Sequence, residues 1–207
     1  MDRLFWHRSQ LCLDMSRHLV QTPCMKSLSK TELDALLAVA RRHSEADWLM
    51  LLVTVCHALR VSETLALTKD NIVDSHLVVQ RLKGSRRTTQ PLLPAERDGL
   101  LELARTVEGR LFKMSRETFW RRMKTYGAEA GIPEHRLFPH ALKHSAGRLG
   151  YLAGMGVPEL VAYLGHKNPA NSLIYAQAGE QEAAAAFAAA FGGVGTAATA
   201  AAVGVGA

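Results

Sequence analysis

The sequence predicts a mainly α-helical domain with a small antiparallel β-sheet, an α+β fold. The first observation is a series of segments with helical periodicity along residues 27–178. The second is the stretch NIVDSHLVVQRL from Asn71, rich in β-branched residues and followed by the turn KGSRR and the extended run TTQPLLP. The third is the composition, 48% hydrophobic and 21% charged, which is typical of a globular domain.

Each predicted helix has its own signal. SLSKTELDALLAVARRH opens with Ser29 and Glu32, the spacing of a capping box. EADWLMLLVTVCHAL is apolar nearly all round, which predicts a buried helix that runs into Arg60 and the short helix VSETLALT. AERDGLLELARTV and SRETFWRRMKTYGAEAG predict two more helices. PHALKHSAGRLGYLAGMG predicts a helix that starts at its proline and ends at Gly156, and PELVAYLGH and PANSLIYAQ predict two shorter ones.

The chain is expected to divide into four segments. Residues 1–26 form a lead-in too short for a domain, and residues 27–178 form one domain. Residues 179–191 are alanine-rich and predict a helix, whereas residues 192–207 are of low complexity and are expected to be disordered. No run of eighteen apolar residues or secretory signal is evident, and three cysteines without a CxxC pair are typical of a cytoplasmic protein without structural zinc.

The positive charge is concentrated in the middle of the chain. Residues 60–124 hold 14 Lys or Arg against 8 Asp or Glu, which accounts for the whole net charge of +6. This distribution is expected of a region that faces a polyanion, although a solvated basic surface explains the charge equally well.

Two short motifs place chemically active side chains close together near the end of the domain. In PHALKHS, His140, Lys143 and His144 stand at i, i+3 and i+4, so they share one face of a helix. In LGHKNPANSLIY, Tyr175 follows His166 by nine residues. Their order and spacing suggest one site.

Phosphodiester chemistry without a metal ion needs a particular set of groups. Cations must hold the non-bridging oxygens, and a nucleophile, its base and an acid for the leaving oxygen must be in place. The two motifs, together with Arg60 at the end of a buried helix and Lys83 in the hairpin, offer a candidate for every role.

This combination resembles the catalytic domain of the tyrosine site-specific recombinases, the phage integrase family. The motifs HALRVSETLAL, PHALKHS and LGHKNPANSLIY carry the resemblance, and RLKGSRRTTQPLLP resembles the family's catalytic-lysine hairpin. The match covers residues 27–178. It is most similar to the short fimbrial phase-variation recombinases, which lack the family's N-terminal core-binding domain, and residues 1–26 are expected to leave no room for that domain.

The resemblance implies a role in DNA cleavage for six residues. Arg60 clamps the scissile phosphate, Lys83 gives a proton to the departing 5′ hydroxyl, His140 assists as base, Lys143 takes the second clamp position, His166 hydrogen-bonds a phosphate oxygen and Tyr175 attacks. The 3′-phosphotyrosyl link that results conserves the bond energy, so no metal, ATP or other cofactor is expected.

One position departs from the family pattern. The second clamp is normally arginine, in HxxR, whereas this chain has Lys143. A guanidinium grips two phosphate oxygens at once, and an ammonium is a point charge. Charge compensation is expected to survive and orientation to suffer, so slower or absent chemistry is an alternative.

Single residues also have structural interpretations. Arg60 could pair with Glu63, Tyr175 could be a core tyrosine, and His144 is expected to be a buried hydrogen-bonding histidine or a partner of the site. The three motif histidines could form a metal site, but the glutamate of HExxH is missing and Lys143 repels a cation.

Seven basic residues of the 60–124 region are the candidate phosphate contacts: Arg81, Arg86, Arg87, Arg116, Arg121, Arg122 and Lys124. Binding through such contacts should weaken steeply with salt.

The function expected from the resemblance is site-specific recombination of duplex DNA, whether integration, excision or inversion. Recombination pairs two sites, which implies a homotetramer on DNA assembled from monomers or weak dimers, with a possible accessory protein, in a prokaryotic or phage-infected cytoplasm at the nucleoid. The alternatives are a DNA-binding relative without chemistry and a nicking-closing protein similar to type IB topoisomerases. A covalent adduct excludes the first, and recombinant products exclude the second.

Overall fold

A computed structural model describes residues 27–82, 85–138 and 140–176, which belong to one unit of the chain. The lead-in 1–26, the alanine-rich segment 179–191, the tail 192–207 and Lys83 all lie outside these residues. Within the described part, every helix is too short or too polar to cross a lipid bilayer.

The described part of the chain forms helices on both sides of a small three-stranded sheet in the sequence, in the order that the segments predict. In chain order they are α1 Lys30–His43, α2 Glu45–Cys56, α3 Val61–Thr64, β1 Ile72–Val73, β2 His76–Val79, β3 Thr88–Pro91, α4 Pro94–Thr106, α5 Arg116–Glu129, α6 Ala141–Leu152, α7 Val157–Leu164 and α8 Ala170–Leu173. The predicted fold class is confirmed.

Helix α1 begins at the predicted capping box. The Glu32 amide donates to Ser29 Oγ at 3.2 Å, and the Ser29 amide donates to Glu32 Oε2 at 2.7 Å. Two backbone donors at the start of the helix are therefore satisfied by side chains.

Helix α2 is the central element of the core. Every residue from Leu49 to Val55 is buried, because α1, α4 and α6 all pack against it. Its nearly continuous apolar sequence reflects this burial on all sides.

The sheet has the strand order β1-β2-β3, with both pairs antiparallel. Leu77 pairs with Gln90 and Val79 pairs with Thr88 across β2 and β3, and all four side chains are buried. The inward face is therefore apolar on β2 and polar on β3, which brings hydrogen-bonding groups beneath the hairpin.

The chain reverses between α2 and α3, and this turn places Arg60. Ala58 has a φ of +49°, an uncommon conformation for a residue with a side chain, and the Leu59 amide donates to the Thr54 carbonyl at 2.9 Å. Arg60 is the N-cap of α3 rather than the last residue of the buried helix. The sequence-based boundary was wrong here because a tight turn, without glycine or proline, separates the two helices.

Helix α6 is shorter than predicted. It starts at Ala141 with His140 as its N-cap, and it ends at Leu152 rather than near Gly156. Gly154, with a φ of +94°, takes the left-handed conformation that ends helices. The shorter helix lets α7 fold back, and Leu160 and Leu164 of α7 form a small buried cluster with Ala58 and Tyr175.

Candidate active site

An open pocket of about 500 Å³ brings together five of the six residues predicted to be catalytic: Arg60, His140, Lys143, His166 and Tyr175. The remaining lining residues are Ser85, His144, Lys167, Asn168, Asn171 and Ile174. Among the described residues, none that lines the pocket is acidic. The same part of the chain holds no group of three His, Cys, Asp or Glu side chains placed to bind a metal ion.

Arg60 reaches the pocket and is paired with Glu63 at the same time. Its Nη1 donates to Glu63 Oε1 at 2.6 Å, its amide donates to Oε2 at 2.8 Å, and its Nη2 donates to Ser85 Oγ at 3.3 Å. Burial raises the pKa of Glu63, but hydrogen bonds from the backbone and side chain of Arg60 and from Leu82 outweigh it and bring the pKa below its usual value. The ionised carboxylate therefore fixes the guanidinium at the pocket. Arg60 can thus pair with Glu63 and still occupy the position predicted for a phosphate clamp.

Arg81 does not lie on a DNA-accessible surface, contrary to the expectation. Its side chain is only 3% exposed. The guanidinium donates to the carbonyls of His57 at 2.8 Å and Ala58 at 3.0 Å, and it lies 3.3 Å from Glu63. Arg81 therefore ties the base of the hairpin to the turn before Arg60. Its charge is balanced internally and is not available to a polyanion.

Lys143 lies at the floor of the pocket, 7% exposed, with Nζ donating to the Leu164 carbonyl at 3.2 Å. Burial lowers its pKa to about 7, and the charges of Arg81 and Arg60 act in the same direction, whereas Glu63 opposes them. An arginine in this position would remain charged at any ordinary pH. Lys143 therefore changes charge near neutrality.

His166 is a neutral imidazole held by a buried serine. Its Nδ1 lies 2.9 Å from Ser172 Oγ, and Ser172 is fully buried. Burial lowers the pKa of His166 to about 4, and the charges of Lys143 and Arg60 contribute. The Ser172 contact orients the ring at the pocket wall. No recognisable motif indicates this partner, which precedes Tyr175 by three residues.

Tyr175 is docked on α6. Its hydroxyl lies 3.1 Å from His144 Nδ1, and its carbonyl accepts a hydrogen bond from Arg148 Nη1 at 2.9 Å. A Cβ atom at Gly147 would lie 2.6 Å from the Tyr175 ring, so glycine leaves the space that the ring occupies. The residue is 3% exposed. It is therefore packed like a core tyrosine while it lines the pocket.

The other predicted DNA contacts fall into two groups. Arg122 pairs with buried Asp47, which also accepts a hydrogen bond from the Tyr126 hydroxyl at 2.5 Å, and Lys124 pairs with Glu134. Their charges are balanced within the protein, and the sequence could not show this because the acidic partners are remote. Four residues are exposed: Arg86, Arg87, Arg116 and Arg121.

The exposed arginines of the hairpin stand beside the pocket. The Arg86 amide donates to the Gly165 carbonyl at 3.0 Å, immediately before His166. Gly165 has a φ of +68°, and a Cβ there would lie 2.9 Å from the Arg86 carbonyl oxygen. The close approach of these two backbones fixes the hairpin against the turn that carries His166.

This helical domain, with its hairpin and its tyrosine-containing pocket, has the architecture of a tyrosine recombinase catalytic domain. The family model described as "Phage integrase family" matches residues 26–182. The chain therefore belongs to the phage integrase family.

The family match is supported by individual relatives. The tyrosine recombinase XerD of Vibrio cholerae is 29% identical over 197 residues, covering 83% of this chain and 65% of the relative. This chain thus spans less than two thirds of that protein.

Solved structures show the same fold. The catalytic domain of bacteriophage HP1 integrase matches with a TM-score of 0.60 and 21% identity, covering 82% of this chain and 96% of that domain. The XerH site-specific recombinase, solved bound to its difH substrate in a pre-cleavage complex, matches with a TM-score of 0.63 and 20% identity over 77% of this chain and 52% of XerH.

Proposed function

We propose that this chain is a site-specific DNA recombinase that cuts and rejoins duplex DNA through a covalent link to Tyr175. The observation that carries the proposal is the convergence of Arg60, His140, Lys143, His166 and Tyr175 on one pocket, although up to 115 positions separate them in the sequence. A tyrosine beside these four cationic or hydrogen-bonding groups, with no acidic lining residue among the described ones, suits attack on a phosphodiester.

The proposed reaction starts with the grip on the scissile phosphate. Arg60, held by Glu63, offers two directed donors to its non-bridging oxygens, and Lys143 adds a positive charge once it is protonated. His166 is neutral, so it contributes a hydrogen bond rather than a charge. The three groups together offset the charge that develops on the phosphorus oxygens.

The chemical step exchanges one phosphate ester for another. The Tyr175 oxygen forms a bond to phosphorus, the bond from phosphorus to the 5′ oxygen breaks, and the phenolic proton passes to a histidine. The resemblance assigns that histidine as His140 and assigns to Lys83 the proton that the departing 5′ oxygen takes. Religation is the same step in reverse, so neither ATP nor a cofactor enters the balance.

Duplex DNA is the proposed partner, and the XerH complex with difH DNA supports it. The exposed arginines Arg86, Arg87, Arg116 and Arg121 are the proposed phosphate contacts. Pairing of two sites implies a homotetramer on DNA that assembles from monomers or weak dimers, with a possible accessory protein. The proposed location is the cytoplasm of a prokaryote or a phage-infected cell, at its nucleoid.

The test is covalent capture of DNA. The protein is incubated with a pool of nicked duplexes that have a randomised core, and DNA that stays attached in SDS is recovered and sequenced. Tyr175→Phe, which retains the ring and lacks the nucleophile, is the matched control, and Lys143→Arg restores the family's guanidinium.

Wild-type adducts that Tyr175→Phe does not form, and that enrich one sequence, are the expected result. Adducts with Lys143→Arg alone would instead favour an attenuated, DNA-binding relative. Adducts without sequence enrichment, together with plasmid relaxation, would favour the nicking-closing alternative. Binding without an adduct from any variant would overturn the proposal.

A further inference from the structure

His144, the second histidine of the motif PHALKHS, contacts the Tyr175 oxygen. Its Nδ1 lies 3.1 Å from the Tyr175 hydroxyl, which is hydrogen-bond distance, and the two ring centroids are 6.0 Å apart. His140, to which the resemblance assigns the role of base, is exposed at the N-cap of α6, and its ring centroid lies 6.5 Å from that of His144.

The contact between His144 and Tyr175 is built into one face of α6. His144, Gly147 and Arg148 stand at i, i+3 and i+4, so they lie on the same side of the helix. Gly147 makes room for the tyrosine ring, and Arg148 holds the Tyr175 carbonyl. The hydroxyl is thus presented to His144 by contacts at both ends of the tyrosine residue.

We propose that His144 is a catalytic residue that takes the Tyr175 proton during attack on the phosphate. This inference rests on the recombinase function proposed above and adds a residue to it. As the Tyr175 oxygen bonds to phosphorus, its proton moves to Nδ1 and the electron pair of the breaking P–O bond leaves with the 5′ oxygen. That oxygen takes its proton from Lys83, to which the resemblance assigns the role of general acid. In religation, His144 returns the proton to the departing tyrosine oxygen.

The charged groups around His144 suit a pocket that receives an anion. The titratable and charged groups that face His144 are Lys143, Arg148 and His140 on and beside its own helix, Tyr175, and Arg60, His166 and Lys167 across the pocket. These groups include several cations, and among the described residues no carboxylate lines the pocket. The negative charge of a bound phosphate would offset those cations beside the proposed proton acceptor.

The proposal assigns the histidine a tautomer. Because Nδ1 receives the proton, Nε2 must carry the hydrogen before the reaction, and the Tyr175 hydroxyl donates in the resting contact. Asparagine places its side-chain oxygen near the position of Nδ1, so His144→Asn can retain the hydrogen bond while it lacks a base. This substitution therefore separates positioning of Tyr175 from acceptance of its proton.

The experiment measures the single-turnover rate of SDS-resistant adduct formation on a duplex recovered by covalent capture. It compares wild type with His144→Asn, His144→Ala, His140→Asn and Tyr175→Phe, and His135→Asn, an exposed histidine that does not line the pocket, is the matched control. Binding of each variant to the same duplex is measured first, which shows that it is folded. His144→Gln replaces any His144 variant that does not bind.

The expected result is a rate at least about 100-fold lower for His144→Asn than for wild type, with a DNA dissociation constant within about threefold. Added imidazole should raise the rate of His144→Ala and should leave Tyr175→Phe inactive. His135→Asn should react like wild type.

The assay distinguishes failure of the proposed role of His144 from failure of the proposed recombinase function. Wild-type adducts together with a His144→Asn rate within about threefold of wild type would overturn the role of His144 and leave His140 as the base. The same conclusion would follow if imidazole left the DNA-bound His144→Ala as slow as before. No adduct with wild type would overturn the recombinase function, and this inference with it.

Discussion

Replacement of Lys143 by methionine should change the pH dependence of stability in a defined direction. The ammonium of Lys143 is buried at the pocket floor, with the Leu164 carbonyl as its acceptor and Arg60 and Arg81 as charged neighbours. Methionine fills a similar volume, is unbranched and does not titrate. The substitution therefore removes the titration of residue 143 with little change in shape.

The magnitude follows from the two states of the lysine. In the unfolded chain a lysine has a pKa of about 10.5, and burial lowers the pKa of Lys143 in the folded protein to about 7. Between these values the unfolded chain binds more protons, so the folded protein with Lys143 gains stability as the pH rises. The free-energy cost of burying Lys143 has its full value below the pKa of the folded state. It disappears above the pKa of the unfolded state. It falls by about 2.5 kcal/mol between about pH 7.5 and about pH 9.5.

The assay is urea denaturation of wild type and Lys143→Met at these two pH values. The variant's advantage in free energy of unfolding should be about 2.5 kcal/mol larger at the lower pH. Packing differences between the two side chains do not depend on pH, so they cancel in this comparison. The exposed Lys69 provides the matched control, and Lys69→Met should change the free energy by less than about 0.5 kcal/mol at either pH. If the advantage of Lys143→Met were the same at both pH values, burial would not lower the pKa of Lys143 in the folded protein, and the prediction would be refuted.

Two further predictions concern the nucleophile and the DNA contacts. Gly147→Ala should slow adduct formation by about tenfold or more, because the new methyl group lies 2.6 Å from the Tyr175 ring and displaces it. Gly150→Ala on the same helix meets only flexible side chains and should react normally; equal rates of the two variants in a single-turnover assay would contradict the packing argument. In DNA binding, Arg121→Gln should lower the slope of log affinity against log salt by about one, since Arg121 is exposed. Arg122→Gln should leave that slope unchanged because Arg122 is paired with a buried aspartate. If filter binding showed the same change in slope for both variants, the separation into exposed and internally paired arginines would be wrong.

The fold could be predicted from the sequence wherever the signal is local. The capping box of α1, the continuous apolar run of α2 and the β-branched strands depend on neighbours within a few residues, and all were confirmed. The errors fall where one backbone conformation decides the outcome. Ala58 takes a positive φ without glycine, and α6 ends before Gly154, which has a positive φ, rather than at the predicted Gly156.

The sequence predicted which residues share the pocket, but it did not predict the residues that hydrogen-bond to them. Five predicted residues line one pocket, as the order and spacing of the motifs suggested, while their catalytic roles stay a prediction. Arg81 was expected at the surface, since a lone arginine in a basic stretch is usually solvated. Its partner Glu63 lies 18 positions earlier, and only the folded chain brings the two within 3.3 Å. The contact of His144 with Tyr175 likewise depends on how the segment after α8 folds back on α6.

Lys143 and His166 limit charge repulsion in a pocket that has no acidic lining residue in the described part of the chain. Arg60 and Arg81 share Glu63, so one buried carboxylate is opposed by two guanidiniums. A third fixed cation would add repulsion, and the pocket avoids it because burial lowers the pKa of Lys143 to about 7 and that of His166 to about 4. A phosphate bound there, as proposed, would reverse this balance and favour a proton on Lys143. If Lys143 is the second clamp, as proposed, lysine would make that clamp conditional on the substrate, whereas arginine would supply its charge at all times.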